Sequence, residues 1–227
     1  MLTLFLLLIF AACIGLLYTE GMWSNAIRLV NVVTAGLLAT SYFEATAGML
    51  EGMMPSYTYV CDFLAVWLLF ALFMVVFRLL TDTISRVKVR FLGLADRIGS
   101  VFFAVLVGWV MMCFTGMTLH TAPLARSFMG GYSPESRMFL GLAPDRQWLA
   151  FVQRVSLGQF SRGMSEEDRK KNLYGQREGD KDWEKKLRVF DRNSEFLPKY
   201  ATRRARLEAH MAQPGTRSLR VDPSAAK

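Results

Sequence analysis

The chain has 227 residues, 52% of them hydrophobic, with 27 Lys and Arg against 19 Asp and Glu. Up to residue 120 six basic residues balance six acidic ones, so the net charge of +8 belongs to residues 121–227, and every long apolar run lies before that point. This division excludes a uniformly soluble domain, and three cysteines in or beside apolar runs, without ligand spacing, exclude a cysteine-built metal site.

Four apolar runs follow one another, over residues 2–18, 26–43, 59–80 and 101–119. A stretch of about 18 or more apolar residues is long enough to cross a bilayer core as a helix. The predicted fold class is therefore an all-α membrane protein. Residues 1–120 form a domain of four transmembrane helices, and residues 121–227 form a polar, basic, partly helical C-terminal extension. The first run has no Lys or Arg ahead of Glu20. It is read as a span rather than a secretory leader, whose start is basic.

The loops set the orientation. Residues 44–58 hold Glu44 and Glu51 and no basic residue, whereas residues 81–99 hold Arg86, Lys88, Arg90 and Arg97. Short loops rich in Lys and Arg stay cytoplasmic. That places residues 81–99 inside and, with four crossings, both termini outside. Arg28 then reaches the inner headgroups from the second helix. Tyr42, Tyr57 and Tyr59 suit the outer interface.

Small residues at four-residue spacing mark close helix contacts in lipid. Ser100, Ala104 and Gly108 form such a row in the fourth run, and the second has Ala35 with Ala39 beside Gly36 with Thr40. These two helices are predicted to pack centrally, against each other. Asn31 and Asp62 are the polar positions within the membrane runs. Two readings of them stay open: glue between helices, or the lining of a solute or proton path.

The third-to-fourth stretch carries a pattern. Phe77-Arg78-Leu79-Leu80 ends one helix, and a basic amphipathic link runs from Ile84 to Leu94. Then Leu94-Ala95-Asp96-Arg97-Ile98-Gly99-Ser100 leads into Phe102-Phe103-Ala104-Val105-Leu106-Val107-Gly108. This resembles the colicin V production protein family (CvpA), whose members open their last membrane helix with an Asp-Arg pair and a small residue. The run Ala26-Ile27-Arg28-Leu29-Val30 into Gly36-Leu37-Leu38-Ala39 also fits. The turn Tyr18-Thr19-Glu20-Gly21 lacks the basic residue usual there, and Val107 stands where the family carries Arg. The resemblance covers residues 1–120. It implies a multi-pass protein of the cell inner membrane, without known enzymatic activity, required in toxin production or export; the expected role is there or in envelope maintenance, through interactions with other membrane proteins. From the residues alone, Asp96 is expected to satisfy N–H groups at the start of its own helix, with Arg97 as an anchor to headgroup phosphates.

In the tail, Pro144-Asp145 opens a helix in which Trp148, Val152 and Val155 repeat at helical spacing beside Leu149 and Phe151. It lies either on the membrane surface or on the bundle. Gly130-Gly131-Tyr132-Ser133-Pro134 reads as a linker. Residues 163–193 read as loosely ordered, with Glu184 and Arg188 as one helical pair. A last helix spans residues 199–212, with Arg203, Arg204 and Arg206 clustered on what reads as a solvated surface, and Pro214-Gly215 ends it.

His120 and His210 lack ligand partners in sequence, and no phosphate loop, nucleophile elbow or dinucleotide fingerprint occurs. No catalytic residue, cofactor or metal site is assigned. No nucleic acid and no small-molecule substrate is expected. The expected partners are the lipid bilayer and other membrane proteins or copies of the chain itself. The residues to weigh are Asp96, Arg97, Ser100, Ala104 and Gly108 for packing, and Asn31 and Asp62 for the alternative, an oligomeric transporter or channel subunit.

Overall fold

The structure is a computed structural model of the full chain, and it describes residues 1–84, 93–124, 139, 141–157, 190–191 and 194–212. The elements are α1 (Leu2–Leu17), α2 (Met22–Met53), a 3-10 turn (Pro55–Tyr57), α3 (Thr58–Ile84), α4 (Gly93–Thr121), α5 (Pro144–Leu157) and α6 (Phe196–Met211). No strand occurs among the described residues.

Helix lengths depart from the apolar runs. Residues 44–53, expected as loop, continue α2, because Ala, Met, Leu and Glu are good helix formers whether or not lipid surrounds them. The helix stops at Pro55, which pushes Met54 to φ −131 and ψ 65. Three segments are long and apolar enough to cross a membrane: α2, Pro55–Ile84 and α4. The first run forms only a 16-residue helix, about 24 Å long against a hydrocarbon core of about 30 Å. The four predicted spans are thus three of full length and one shorter apolar helix. The chain is a membrane protein by these helices.

The short turn at Pro55–Tyr57 makes α2 and α3 antiparallel, and they form the largest interface, with α1 on α4 and α2 on α4 next. Helices α2 and α4 run parallel, with Asn25 beside Ser100 near their starts. The predicted contact between the second and fourth helices is present. The bundle has a loop end, where α3 finishes and α4 begins, and a tail end, where α2 finishes and α3 begins. One stripe of α3, Leu64, Leu68, Leu72, Val75 and Leu79, faces outward, while Ala65, Val66, Leu69 and Phe70 face the core. A helix apolar on both faces belongs in lipid.

The row Ser100, Ala104 and Gly108 is buried, against α1 as well as α2. A Cβ added at Gly108 would lie 3.0 Å from Phe10 Cδ2 and 3.2 Å from the Phe10 carbonyl oxygen. The backbone of α1 therefore rests directly on α4. Gly108→Leu is expected to lift α1 and cost about 1–3 kcal/mol through overpacking, read as a lower unfolding midpoint of the detergent-solubilised protein.

Helix α4 is the most enclosed. From Met112 to Met117 every residue is buried, because α1, α2, α3 and α5 all pack on it. Phe114 is the hub, stacked on Phe70 at 4.6 Å and edge-on to Trp67 at 5.7 Å and Trp148 at 5.5 Å.

Both described tail helices fold onto the bundle. Of the two placements open for α5, packing on α4 is the one observed, and α6 covers the tail end. The expectations for Arg86, Lys88, Arg90, Gly130–Pro134, Glu184, Arg188, most of 163–193 and the chain from Pro214 lie outside the described residues.

Candidate functional site

Two polar centres tie the helices together, one at each end. At the loop end, the amide nitrogen of Asn25 lies 2.8 Å from the Leu17 carbonyl, 3.0 Å from Ser100 Oγ and 3.2 Å from the Ser100 carbonyl. Ser100 Oγ donates to the Tyr18 carbonyl at 2.9 Å. The Met22 N–H donates to Asp96 Oδ1 at 3.0 Å. Asp96 therefore caps α2 rather than its own helix, a correction to the expectation above. It is the fourth residue of α4 and sits too far along to cap it. Gly21, at φ +88, makes the turn that brings Met22 there. Arg97 is exposed beside it, and Ala104 and Gly108 continue the face. Asn25 is fully buried and was not singled out by pattern, because it precedes the apolar run.

Asn31 and Asp62 do not meet. Asn31 Nδ2 donates to Thr81 Oγ1 at 3.1 Å near the loop end. Asp62 lies at the tail end beside Glu51, about 30 Å further along α2 by helical rise.

The tail end holds the larger centre. Arg203 of α6 reaches between α2 and α3: Nη1 pairs with Asp62 Oδ2, while Nη2 donates to Glu51 Oε1 at 3.2 Å and to the Thr58 carbonyl at 2.6 Å. Its guanidinium also lies 5.5 Å from the Tyr59 ring centre, so Tyr59 is buried here rather than serving the interface belt. One turn earlier, Lys199 Nζ pairs with Glu44 Oε1 at 2.7 Å. Between these, burial pushes the Tyr200 phenol well above its ordinary pKa. Of the cations expected on a solvated surface, Arg203 is thus a partner of the acidic residues of α2 and α3, while Arg206 is exposed.

Arg204 points the other way, into the bundle. Its Nη2 is 3.3 Å from His120 Nδ1, and His120 Nε2 is 3.0 Å from Asp145 Oδ2. All three are at most 4% exposed. A guanidinium only donates and a carboxylate only accepts. The network therefore assigns His120 the neutral tautomer with its proton on Nε2. Helix α5, which supplies Asp145, also inserts Trp148 at Gly36. Trp148 Nε1 donates to Thr40 Oγ1 at 3.1 Å, and Thr40 donates to the Gly36 carbonyl at 2.7 Å. Gly36 and Thr40, read in sequence as a row of small residues, make the seat for this indole.

A cleft of about 670 Å³ opens beside Arg203, between α6 and the α2–α3 turn, with Arg206, Glu195 and Thr202 on its wall. Among the described residues no group of three or more His, Cys, Asp or Glu side chains is placed to hold a metal ion.

Residues 2–143 match the family model of the colicin V production protein. The chain belongs to the colicin V production protein family. No curated protein and no solved structure matches it. The family segment runs past residue 120 and stops just before α5. It includes His120, Asp62, Glu44, Glu51, Gly36 and Thr40. Every residue that clamps onto these, Asp145, Trp148, Lys199, Arg203 and Arg204, lies beyond it. The tail-end centre is therefore the joint between the family-matched bundle and the segment beyond the match.

Proposed function

We propose that this protein is a multi-pass protein of the cell inner membrane that serves toxin production or export by holding other membrane proteins, without chemistry of its own. The observation that carries this reading is how the buried ionic groups of the tail end are used. His120, the one buried imidazole among the described residues, has one ring nitrogen on Asp145 and the other on Arg204. A general base needs a ring nitrogen within reach of a substrate proton. Here both are engaged in fastening the extension to the bundle. Asp62, the candidate lining of a solute path, is likewise closed off by Arg203.

In this reading α1 also crosses, the bilayer thinning locally to fit its length. It lies antiparallel to α4, with Phe10 at Gly108 and the Tyr18 carbonyl at Ser100. The basic residues of 81–99 keep the loop end inside, so both termini and the tail-end centre face outward. A dual topology reporter is expected to register outside after Lys227 and inside within residues 85–92; a cytoplasmic Lys227 would remove the four-span topology. The functional half is tested by complementing colicin V production in a host whose own family member is deleted. Restoration by the intact chain, lost with Gly108→Leu, supports the reading, and failure of the intact chain counts against it.

A further inference from the structure

A second cleft, of about 440 Å³, opens at the loop end between the α1–α2 turn and the last turns of α3. Helix α1 packs on α4 and α3 packs on α2, which leaves a furrow between the two pairs. Its depth is mostly apolar, with Leu17, Ile27, Val32, Met74 and Val107 around the Asn31–Thr81 hydrogen bond. Its rim is ionic. Glu20 and Arg28 stand on one side, 3.0 Å apart, and Arg78 and Asp82 on the other, 3.8 Å apart. All four side chains are between 31% and 75% exposed. Trp23 stands at the same rim, partly exposed, as suits an indole at a membrane interface.

An apolar floor beneath a charged rim, at the end of membrane helices, matches the two halves of a lipid. The signs on the rim narrow the choice. A phosphodiester carries one negative charge and accepts hydrogen bonds from guanidinium groups in a fixed fork. Two carboxylates beside those guanidinium groups disfavour a headgroup whose only charge is negative, and they accept from a primary ammonium. A quaternary ammonium has no N–H to offer them.

We propose that this cleft holds a phospholipid with an ethanolamine-type headgroup. The phosphate lies against Arg28 and Arg78, the ammonium against Glu20 and Asp82, and an acyl chain along Val32 and Met74. The proposal rests only on the chain residing in a membrane and is independent of the export reading.

The test uses the full chain purified in mild detergent and offered an equal mixture of phosphatidylethanolamine, phosphatidylcholine and phosphatidylglycerol, with retained lipid counted by native mass spectrometry. Phosphatidylethanolamine is expected to be retained roughly fivefold over either other lipid, the size two partly exposed charge pairs supply. Glu20→Gln with Asp82→Asn is expected to bring phosphatidylethanolamine and phosphatidylcholine to parity, with circular dichroism and elution volume unchanged. Equal retention of all three lipids by the unaltered chain overturns the proposal. So does a preference for phosphatidylglycerol, which would mark a simple anion site. A phosphatidylethanolamine preference that survives the double substitution overturns it as well, because the lipid is then held elsewhere. The comparison of lipids on the unaltered chain needs no variant to fold.

Discussion

Trp148→Ala is expected to cost about 3–5 kcal/mol, the range for deleting a buried indole, and to free α5 from the bundle. Trp148 is 3% exposed, packs edge-on to Phe114 and donates to Thr40. Its removal leaves a cavity at the hub of the aromatic core. Trypsin reports the release directly, because Arg146 and Arg154 lie within α5; faster cleavage there, with a lower unfolding midpoint, is the expected result. Unchanged cleavage would mean that α5 is held by other contacts. A second substitution checks the fit from the opposite side. A Cβ on Gly36 would lie 2.8 Å from both Cη2 and Cζ2 of Trp148. Gly36→Ala alone is expected to cost about 1–3 kcal/mol. Combined with Trp148→Phe, which removes those ring atoms, it is expected to cost less than the sum of the two single changes.

Arg203→Met is expected to destabilise the docked tail by about 2–3 kcal/mol. Removing one partner of a buried ion pair costs about 3–5 kcal/mol, and the lower figure reflects the 23% exposure of the Arg203 side chain beside its cleft. The cost lies mostly in the Asp62 carboxylate, 8% exposed, which is left without its guanidinium. Asp62→Asn in the same background is therefore expected to recover part of the loss, with a coupling of about 1 kcal/mol or more. A loss in the double variant equal to the sum of the two single losses would show that the pair does not act as a unit. Lys199→Met, by contrast, breaks a pair that is more than half exposed on both sides, and its effect on the unfolding midpoint is expected to be small.

Both results bear on the same joint, and that joint was only partly legible in the chain. Glu44 and Glu51 lie seven residues apart without a basic neighbour in their segment, and Lys199 and Arg203 lie four apart in a helix that carries few acids. Complementary charge at compatible helical spacing was thus present in sequence. Nothing local says that segments some 150 residues apart meet, so the basic cluster reads as solvated until the fold is seen. His120 is harder still. At the end of an apolar helix it has no ligand at short range, and its partners are 25 and 84 positions away. The Asp-Arg pair shows the reverse case. Its position at the start of α4 was read correctly, but its acceptor serves Met22, 74 residues earlier.

What the sequence by itself determined is the class and the family part. Uninterrupted apolar runs demand lipid or deep burial whatever their neighbours do, because transfer of apolar surface depends only on composition and length. Small residues at four-residue spacing likewise mark a close contact from one helix alone, and Ser100, Ala104 and Gly108 are buried as that spacing requires. The tertiary structure alone decided which helix fills each contact, that α1 rests on Gly108 and Trp148 on Gly36, and that the extension closes on the bundle through Arg203 and Arg204. Ionic and aromatic contacts act only at a few ångströms and depend on geometry, so partners distant in sequence become visible only once the chain has folded them together.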